Sequence, residues 1–210
     1  METLASIAER HDTTKGRRRA GGKLPALAEV YERYLGSCRE RTESVLEIGV
    51  ERGGSLEMWS EFFPRAHVWG VDIKERALQF SDRNITVRIG DQGDETFLAS
   101  LVEETGPLDL ILDDGSHQFH DQRSTLLDLW PHLQPGGIYI VEDIHTSYRP
   151  AKYGGALRKP GTFVEFLKDV IDDVHVKEHK QPGVLTGVES VHVHFQSAIL
   201  FKAGPVELFG

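Results

Sequence analysis

Hydrophobic and polar residues follow two different periods along this chain. Short apolar runs that end at Gly, Pro or Asp predict buried strands, and apolar residues three and four positions apart predict helices. The predicted strands are 44–48, 67–73, 85–89, 108–112 and 138–141. The predicted helices are 2–10, a helix opened by Pro25, a helix between Ser55 and Pro64, 96–105 and 122–132. Strands that alternate with helices in short units predict a doubly wound parallel sheet of the α/β class.

The carboxyl-terminal part of the chain has a different pattern. A helix is predicted over 163–173, and strands over 190–195 and 198–202. Only two residues separate those strands, so they must form an antiparallel hairpin, because a parallel pair needs a long crossover. Five parallel strands followed by such a hairpin resemble the Rossmann-like sheet of class I methyltransferases, which bind S-adenosylmethionine (SAM).

Length and composition restrict the class of protein. A length of 210 residues predicts one domain with at most a small appendage. The likeness to class I methyltransferases sets the methyltransferase domain at 43–210, preceded by N-terminal helices or a lid over 1–42. A net charge of −9 argues against general nucleic-acid binding, and no apolar run is long enough for membrane insertion. The only cysteine is Cys38, and residues 1–6 lack the pattern of a secretory signal, so we expect a cytoplasmic protein.

The basic segment 15–19 allows two interpretations. The favoured one is a solvated, mobile loop in the N-terminal region. The other is a lid segment beside the active site.

Candidate cofactor residues follow successive predicted strands. The turn after the first strand has Gly-x-x-x-Gly spacing, which differs from the Gly-x-Gly-x-x-Gly that holds a pyrophosphate. SAM has no phosphate and does not need that geometry. Acidic or amide side chains at the next strand ends are placed to bind ribose hydroxyls and adenine. The candidate cofactor-binding residues are Glu47, Gly49, Gly53, Ser55, Asp72, Asp91, Gln92 and Asp113. Glu47 is placed either beneath the methionine ammonium or in an ion pair within the fold.

A candidate metal site follows the fourth and fifth strands. Asp114, Glu142 and Asp143 supply only carboxylate oxygens, which are the ligands that Mg²⁺ prefers. His117 lies three residues after Asp114 and is a candidate general base. Methyl transfer to a hydroxyl group would use both the metal and the base. The cation stabilises the alkoxide, and the base removes the proton.

Other interpretations of these residues remain open. The acidic pairs can cap helices and tie loops, and Asp113, Asp114, His117 and His120 can instead form a Zn²⁺ or non-haem iron site. The corresponding alternative functions are a metal-dependent oxygenase, an NAD-linked oxidoreductase, or a binding protein without catalysis. His192 and His194 alternate on a predicted strand, share one face, and are interpreted as structural.

Several motifs occur together in a recognisable order. They are Val45-Leu46-Glu47-Ile48-Gly49, Gly53-Gly54-Ser55-Leu56, Gly70-Val71-Asp72-Ile73, Gly90-Asp91-Gln92, Asp113-Asp114-Gly115-Ser116-His117, Pro135-Gly136-Gly137 with Glu142-Asp143, and Thr146-Ser147-Tyr148. The sequence from 43 to 202 resembles the metal-dependent sugar O-methyltransferases of macrolide and related natural-product pathways. It is more distantly similar to cephalosporin-hydroxylase-type proteins. The resemblance implies SAM and Mg²⁺ as cofactors, with Asp114, Glu142 and Asp143 as metal ligands and His117 as the base.

The N-terminal region departs from that family. The family carries a Thr-Asp-Lys element and an aromatic-rich segment, whereas this chain has Asp12-Thr13-Thr14-Lys15 and Leu24-Pro25-Ala26-Leu27. We therefore expect a different substrate lid and no additional N-terminal domain. A compact member suits a mannoside, a rhamnoside or another glycoside in polysaccharide or glycolipid biosynthesis, of which mycobacterial methylmannose polysaccharides are one example. The resemblance also implies a homo-oligomer.

Overall fold

Each strand of the protein lies close to where the hydrophobic pattern predicts it. The structure is a computed structural model that describes residues 2–17 and 20–204. It consists of two compact units, the first ending at Gly90 and the second beginning at Asp91. None of the helices in these described residues is long and apolar enough to cross a membrane.

The first unit has three parallel strands, β1 (Ser44–Ile48), β2 (His67–Asp72) and β3 (Ile85–Ile89). Their order is β3-β2-β1, and the register pairs Val45 with Val68 and Val68 with Ile85. The α-helices in the described residues of this unit are α1 (Leu4–Arg10), α2 (Leu27–Leu35) and α3 (Gly54–Phe62). Helix α1 packs against both α2 and α3. Short 3₁₀ helices cover Thr14–Gly16, Ala20–Gly22, Gly36–Cys38 and Glu75–Phe80.

Aromatic side chains fill much of the core of the first unit. The indole of Trp59 is fully buried between the rings of Tyr31 and Phe63, with ring centroids 6.5 and 6.0 Å away. Trp59 lies on the face of α3 that is removed from water, and Phe63 caps the carboxyl end of that helix four residues later. This packing holds α3 and therefore the turn that precedes it.

The strands of the second unit, as far as residue 204, are β4 (Leu108–Asp113), β5 (Leu133–Val141), β6 (Val188–Val193) and β7 (Ala198–Lys202). Their order is β4-β5-β7-β6, in which β4 and β5 are parallel and β7 is antiparallel to both β5 and β6. The helices are α4 (Glu95–Thr105), α5 (Phe119–Leu129), α6 (Pro150–Tyr153), α7 (Phe163–Asp173) and α8 (Val176–His179). Two 3₁₀ helices cover Trp130–His132 and Ile144–Tyr148. Five parallel strands and a C-terminal antiparallel hairpin confirm the predicted fold class.

The larger differences between predicted and observed element ends are in α5, β5 and β6. Helix α5 begins at Phe119 rather than at 122, and its last turn becomes 3₁₀ at Trp130–His132, because Pro131 has no N–H to continue α-helical bonding. Strand β5 begins at Leu133 rather than at 138 and runs through the Pro-Gly-Gly segment. Its pairing with β4 has an irregular register between Leu108 and Leu110 of β4. Strand β6 ends at Val193 rather than at 195. His194 donates its N–H to the carbonyl of Ser197 and so lies in the hairpin turn.

Candidate active site

The turn between β1 and α3 is built around two glycines with positive φ. Gly49 has φ +97°, and its N–H donates to the carbonyl of Val71 on β2 over 2.7 Å. Gly53 has φ +75°, and a Cβ at that position would overlap the ring of Phe80. Both the backbone conformation and the lack of space therefore require glycine at position 53. Ser55 lies just after this turn and is buried in the first turn of α3.

The carboxylate of Asp72 holds that turn in place. Its Oδ2 accepts the N–H of Val50 over 3.2 Å and the N–H of Glu51 over 3.0 Å, while Oδ1 accepts the N–H of Lys74. The structure thus places Asp72 against the glycine turn. This agrees with the expectation that cofactor-binding elements at neighbouring strand ends lie close together. Asp72 itself is partly exposed.

Glu47 is completely buried in β1 and forms an ion pair with Lys15. Nζ of Lys15 lies 3.1 Å from Oε1 of Glu47, and only 1% of Lys15 is exposed. The favoured interpretation of segment 15–19 as a solvated loop is therefore wrong at Lys15. Arg17 matches that interpretation better, because it is exposed and pairs with Asp12. Arg18 and Arg19 lie outside the described residues.

In the second unit, Asp113 is buried at the end of β4 and is held by Gln92. Nε2 of Gln92 donates to Oδ1 of Asp113 over 3.2 Å, and the N–H of Gly115 donates to the same oxygen. Burial raises the pKa of the Asp113 carboxyl to about 6, while these hydrogen bonds act in the opposite direction. The Gln92 side chain also accepts the N–H of Ser116 and donates to Thr125. Gln92 therefore shapes the loop after β4.

Asp91 and Gln92 are adjacent but differ in exposure. Asp91 is exposed, and its Oδ1 accepts the N–H of Gly93 over 2.9 Å. Gln92 is buried and bonds to protein groups through both ends of its amide. Contacts of these two residues with adenine stay a prediction.

The ends of β4 and β5 lie side by side. The register pairs Asp113 with Val141, and the N–H of Glu142 donates to the carbonyl of Asp113 over 2.8 Å. The next residues along the two strands, Asp114 and Glu142, therefore lie at the same edge of this sheet. Nε2 of Gln122 on α5 fixes the Glu142 carbonyl over 2.9 Å.

His117 and Asp143 meet in the loops that follow these strands. Nε2 of His117 lies 3.6 Å from Oδ2 of Asp143, and Nδ1 of His145 lies 3.6 Å from Oδ1 of the same carboxylate. Both His117 and Asp143 have positive φ, 59° and 54°. Left-handed backbone at residues other than glycine is costly and concentrates at functional sites. The hydroxyl of Thr146 donates to the carbonyl of His117 over 3.4 Å.

The donor chemistry of this edge fits a magnesium ion, although no metal cage is already assembled. Among residues 2–17 and 20–204, no three His, Cys, Asp or Glu side chains are grouped closely enough to hold a metal. Asp114 is partly exposed, Asp143 has roughly a quarter of its side chain exposed, and Glu142 is buried beside them in sequence. Their all-carboxylate character is suited to Mg²⁺ rather than to a softer metal. Assignment of these ligands stays a prediction.

The alternative zinc or iron set is not supported. His120 is on the outer side of α5, where 80% of its side chain is exposed and Nε2 pairs with Asp121 over 3.0 Å. Asp113 is buried and held by Gln92. His192 bonds to the hydroxyl of Ser190 and lies edge-on to Phe201, in agreement with a structural interpretation.

Gln122 and His145, both in the second unit, are not among the site residues predicted from the sequence. Gln122 lies on the buried face of α5. A polar residue at an otherwise apolar helix position is the sequence feature that could have identified it. His145 follows Asp143 by two residues and stacks on Phe195 with ring centroids 6.1 Å apart.

Comparison with known proteins identifies the fold class of this chain. Residues 46–144 match the family model described as a methyltransferase domain. The structure of the methyltransferase MycE from the mycinamycin biosynthetic pathway, in complex with Mg and SAH, matches with a TM-score of 0.86 and 33% identity. That match covers 98% of this chain and 56% of the other. The chain therefore has the class I methyltransferase fold.

Two similar curated proteins are named as O-methyltransferases of glycosylated natural products. The chain is 36% identical to the 8-demethyl-8-alpha-L-rhamnosyl tetracenomycin-C 2'-O-methyltransferase of Streptomyces olivaceus, a match over 95% of this chain and 54% of that protein. It is 35% identical to the mycinamicin VI 2''-O-methyltransferase of Micromonospora griseorubida, over 95% of this chain and 52% of that protein. The chain thus spans about half the length of these curated relatives. The predicted resemblance to the sugar O-methyltransferases is confirmed, and the oxygenase and oxidoreductase alternatives are not supported.

Proposed function

We propose that this chain is a SAM- and Mg²⁺-dependent O-methyltransferase that acts on a hydroxyl group of a sugar. The observation that carries the proposal is the meeting of His117 and Asp143 in the loops after β4 and β5. The relatives named above act on sugar-bearing natural products, and the fold match includes a complex with Mg and SAH. The whole chain from α1 to β7 takes part in that match, which covers 98% of its residues.

The reaction transfers a methyl group in line from sulfur to oxygen. A carbon–oxygen bond forms, the carbon–sulfur bond breaks, and the hydroxyl proton must leave. SAM would supply a methyl group made electrophilic by the sulfonium, and Mg²⁺ held by Asp114, Glu142 and Asp143 would supply positive charge beside the acceptor oxygen. The residues of the chain orient the hydroxyl and accept its proton.

His117 is the proposed base. Its Nε2 takes the hydroxyl proton, and the resulting imidazolium faces the Asp143 carboxylate, whose Oδ2 lies 3.6 Å away. The positive φ of His117 and the hydrogen bond from Thr146 to its carbonyl fix the backbone that carries the ring. A fixed backbone at His117 helps to hold Nε2 in one place, which a base in an in-line transfer requires.

The cofactor residues proposed in the first unit are Glu47, Gly49, Gly53, Ser55 and Asp72. The support is their arrangement around one turn, in which Asp72 accepts backbone N–H groups from Val50 and Glu51. Asp91, Gln92 and Asp113 complete the set as the sequence predicts it. Segment 1–42 remains the proposed lid region, and 43–210 the proposed catalytic domain.

The proposed setting is the cytoplasm, with a homo-oligomeric enzyme and no nucleic-acid partner. Cys38 is the only cysteine and is a free thiol, which suits a reducing compartment. Val193 and Phe195 are both more than half exposed near the end of β6, and such apolar residues favour a contact between copies.

The test is a mass-spectrometric assay with SAM, Mg²⁺ and a panel of α-L-rhamnosides, mannosides and oligosaccharides. The expected result is a gain of one CH₂ by an acceptor together with formation of S-adenosylhomocysteine (SAH). Chelation of divalent metal should abolish the product, and re-addition of Mg²⁺ should restore it. Methylation that continues at full rate under chelation would contradict the metal-dependent proposal.

A further inference from the structure

The loop 149–159 follows the candidate metal and base residues and concentrates positive charge. The whole chain has a net charge of −9, yet this loop contains no Asp or Glu. Its cationic residues are Arg149, Lys152, Arg158 and Lys159. All of them are exposed. A single loop of an acidic protein therefore presents several positive charges to solvent and no negative one.

Backbone contacts hold this loop against the residues that support His117. The N–H of Gly155 donates to the carbonyl of Arg149 over 3.0 Å, which closes the first part of the loop. A Cβ at the buried Gly155 would overlap the carbonyl oxygens of Thr146 and Ser147. The hydroxyl of Thr146 in turn donates to the carbonyl of His117 over 3.4 Å. The loop is therefore packed on the backbone segment that bonds to the proposed base.

Further bonds fix the second part of the loop. The hydroxyl of Thr162 donates to the carbonyl of Lys159 over 3.0 Å, and the hydroxyl of Ser147 accepts the N–H of Val164 on α7. Arg158 has φ +58°, a left-handed conformation that a residue other than glycine keeps only where the surrounding structure enforces it. The exposed cations are thus attached to a backbone of defined conformation.

The partners that these cations have within the loop are neutral. Nζ of Lys159 donates to the carbonyl of Gly154 over 2.5 Å, and Nζ of Lys152 lies 4.9 Å from the centre of the Tyr153 ring. A carbonyl oxygen or an aromatic ring stabilises a cation but does not neutralise its charge. An anion among these side chains would supply that compensation through charge-assisted hydrogen bonds, which are stronger than bonds between neutral groups.

We propose that the loop 149–159 binds an anionic group of the acceptor, so that the substrate class is a glycoside with a phosphate or a carboxylate. This inference rests on the proposed function, because it assigns the substrate of that same site. A glycoside whose hydroxyl reaches His117 lies next to the segment on which the loop is packed. Arg149 and Arg158 are the specificity residues, since a guanidinium binds two oxygens of a phosphate or carboxylate at once. The acidic protein would otherwise repel such a substrate.

The experiment compares acceptors that differ in one anionic group. The probes are methyl α-D-mannoside, the same mannoside with a phosphate at C6, the corresponding uronate, and α-D-mannose 1-phosphate. Formation of SAH from SAM with Mg²⁺ gives kcat/KM, and calorimetry on the protein loaded with SAH and Mg²⁺ gives the affinity for each probe. At least one anionic probe should exceed the neutral mannoside by about 10- to 100-fold, the usual contribution of hydrogen bonds between charged groups. Added salt should reduce this preference, because it screens exposed charges.

Replacement of Arg149 and Arg158 together by glutamine should abolish the preference, so that neutral and anionic probes bind alike. Both positions are exposed, and Lys159 is retained because its ammonium bonds within the loop. The matched control removes two exposed cations elsewhere in the same unit, by Lys177→Gln together with Lys180→Gln. This control should keep the wild-type preference, since it changes the net charge by the same amount.

Each other outcome contradicts the proposal. Equal affinity of the wild type for neutral and anionic probes, or binding of none of them, overturns this inference. A preference that persists in the Arg149 and Arg158 double variant overturns it as well, since the metal or another group then binds the anion. Inorganic phosphate that binds as tightly as the best anionic probe shows an adventitious anion site only, with the same consequence. Failure of the wild type to bind SAH overturns the proposed function too, whereas SAH binding without an anion preference overturns this inference alone.

Discussion

In this protein, Oδ2 of Asp143 lies 3.6 Å from Nε2 of His117, and both residues have left-handed backbone conformations. One residue follows β4 and the other follows β5, so two separate loops are strained to bring one imidazole to one carboxylate. Such backbone strain costs about 1–3 kcal/mol per residue and persists only where the surrounding structure enforces it. We therefore expect the His117–Asp143 pair to take part in catalysis.

Replacement of His117 by glutamine should remove the base without removing the fold. We expect the methyl-transfer rate to fall by about 10²- to 10⁴-fold, the usual contribution of general-base catalysis. The affinity for SAH should stay unchanged, because the ring is not assigned to the cofactor. Stopped-time assays at saturating SAM measure the rate, and calorimetry measures the affinity.

His120→Gln is the matched control for that experiment. This histidine is three residues further along the chain, but it is exposed and pairs only with Asp121 among the contacts described. Its replacement should leave both rate and affinity at wild-type values. Equal loss of rate in the two variants would argue against His117 as the base.

Gly53→Ala should destabilise the protein through two separate effects. A positive φ costs about 1–2 kcal/mol for a residue with a Cβ. Overlap of that Cβ with the ring of Phe80 adds about 1–3 kcal/mol, because neighbouring groups must shift. Urea unfolding of the free protein measures the sum.

Gly154→Ala isolates the backbone effect for comparison. Its φ is +71°, similar to that of Gly53, but the nearest atom to a new Cβ is Nζ of Lys159 at 3.8 Å. Gly154→Ala should therefore lose only the backbone contribution. Addition of Phe80→Ala to the Gly53→Ala variant should recover the overlap contribution, and no recovery would show that Phe80 is not the cause.

The buried carboxyl of Asp113 should give stability a defined pH dependence. Its pKa in the folded protein, about 6, is above the ordinary value of 3.8, so the folded state binds the proton more tightly than the unfolded state. Stability should therefore decrease as pH rises from about 4 to about 6, by about 3 kcal/mol in total from this group. Urea unfolding across that range, with a chelator present, measures the effect.

Asp113→Asn should remove this part of the pH dependence. The amide keeps the size of the side chain but does not ionise. Asp169→Asn, at an exposed position of α7, is the control and should keep the wild-type slope. A slope unchanged in Asp113→Asn would show that another group is responsible.

Asp173→Asn should loosen the loop 181–187, which lies between α8 and β6. The buried carboxylate accepts the N–H groups of Val184 and Leu185, over 3.1 and 2.8 Å from Oδ2. Loss of a charged acceptor for buried donors costs about 1–3 kcal/mol. Thermal unfolding and limited proteolysis of the loop measure this, with the exposed neighbour Asp172→Asn as a control that should change neither.

Local patterns were sufficient to locate strands β1 to β7 and the longer helices α1 to α5 and α7, but not the single-turn helices α6 and α8. Strands β1, β3 and β7 and helix α7 have the predicted bounds, because each is a short apolar or amphipathic run between turn residues. The ends of β5 and β6 were not predicted as well. The extent of β5 depends on pairing with distant strands, and the end of β6 depends on a hydrogen bond from His194 to Ser197 that forms only once the hairpin is closed.

The sequence by itself determined the fold class and the residue types at the strand ends, since topology brings the ends of parallel strands to one edge. The tertiary structure alone decided which of these residues meet. Nothing in a basic run distinguishes a buried lysine from an exposed one, yet Lys15 is buried against Glu47, 32 residues away in the numbering, while Arg17 is exposed. The physical reason is that burial of a charge depends on a partner from elsewhere in the chain, and only folding supplies that partner.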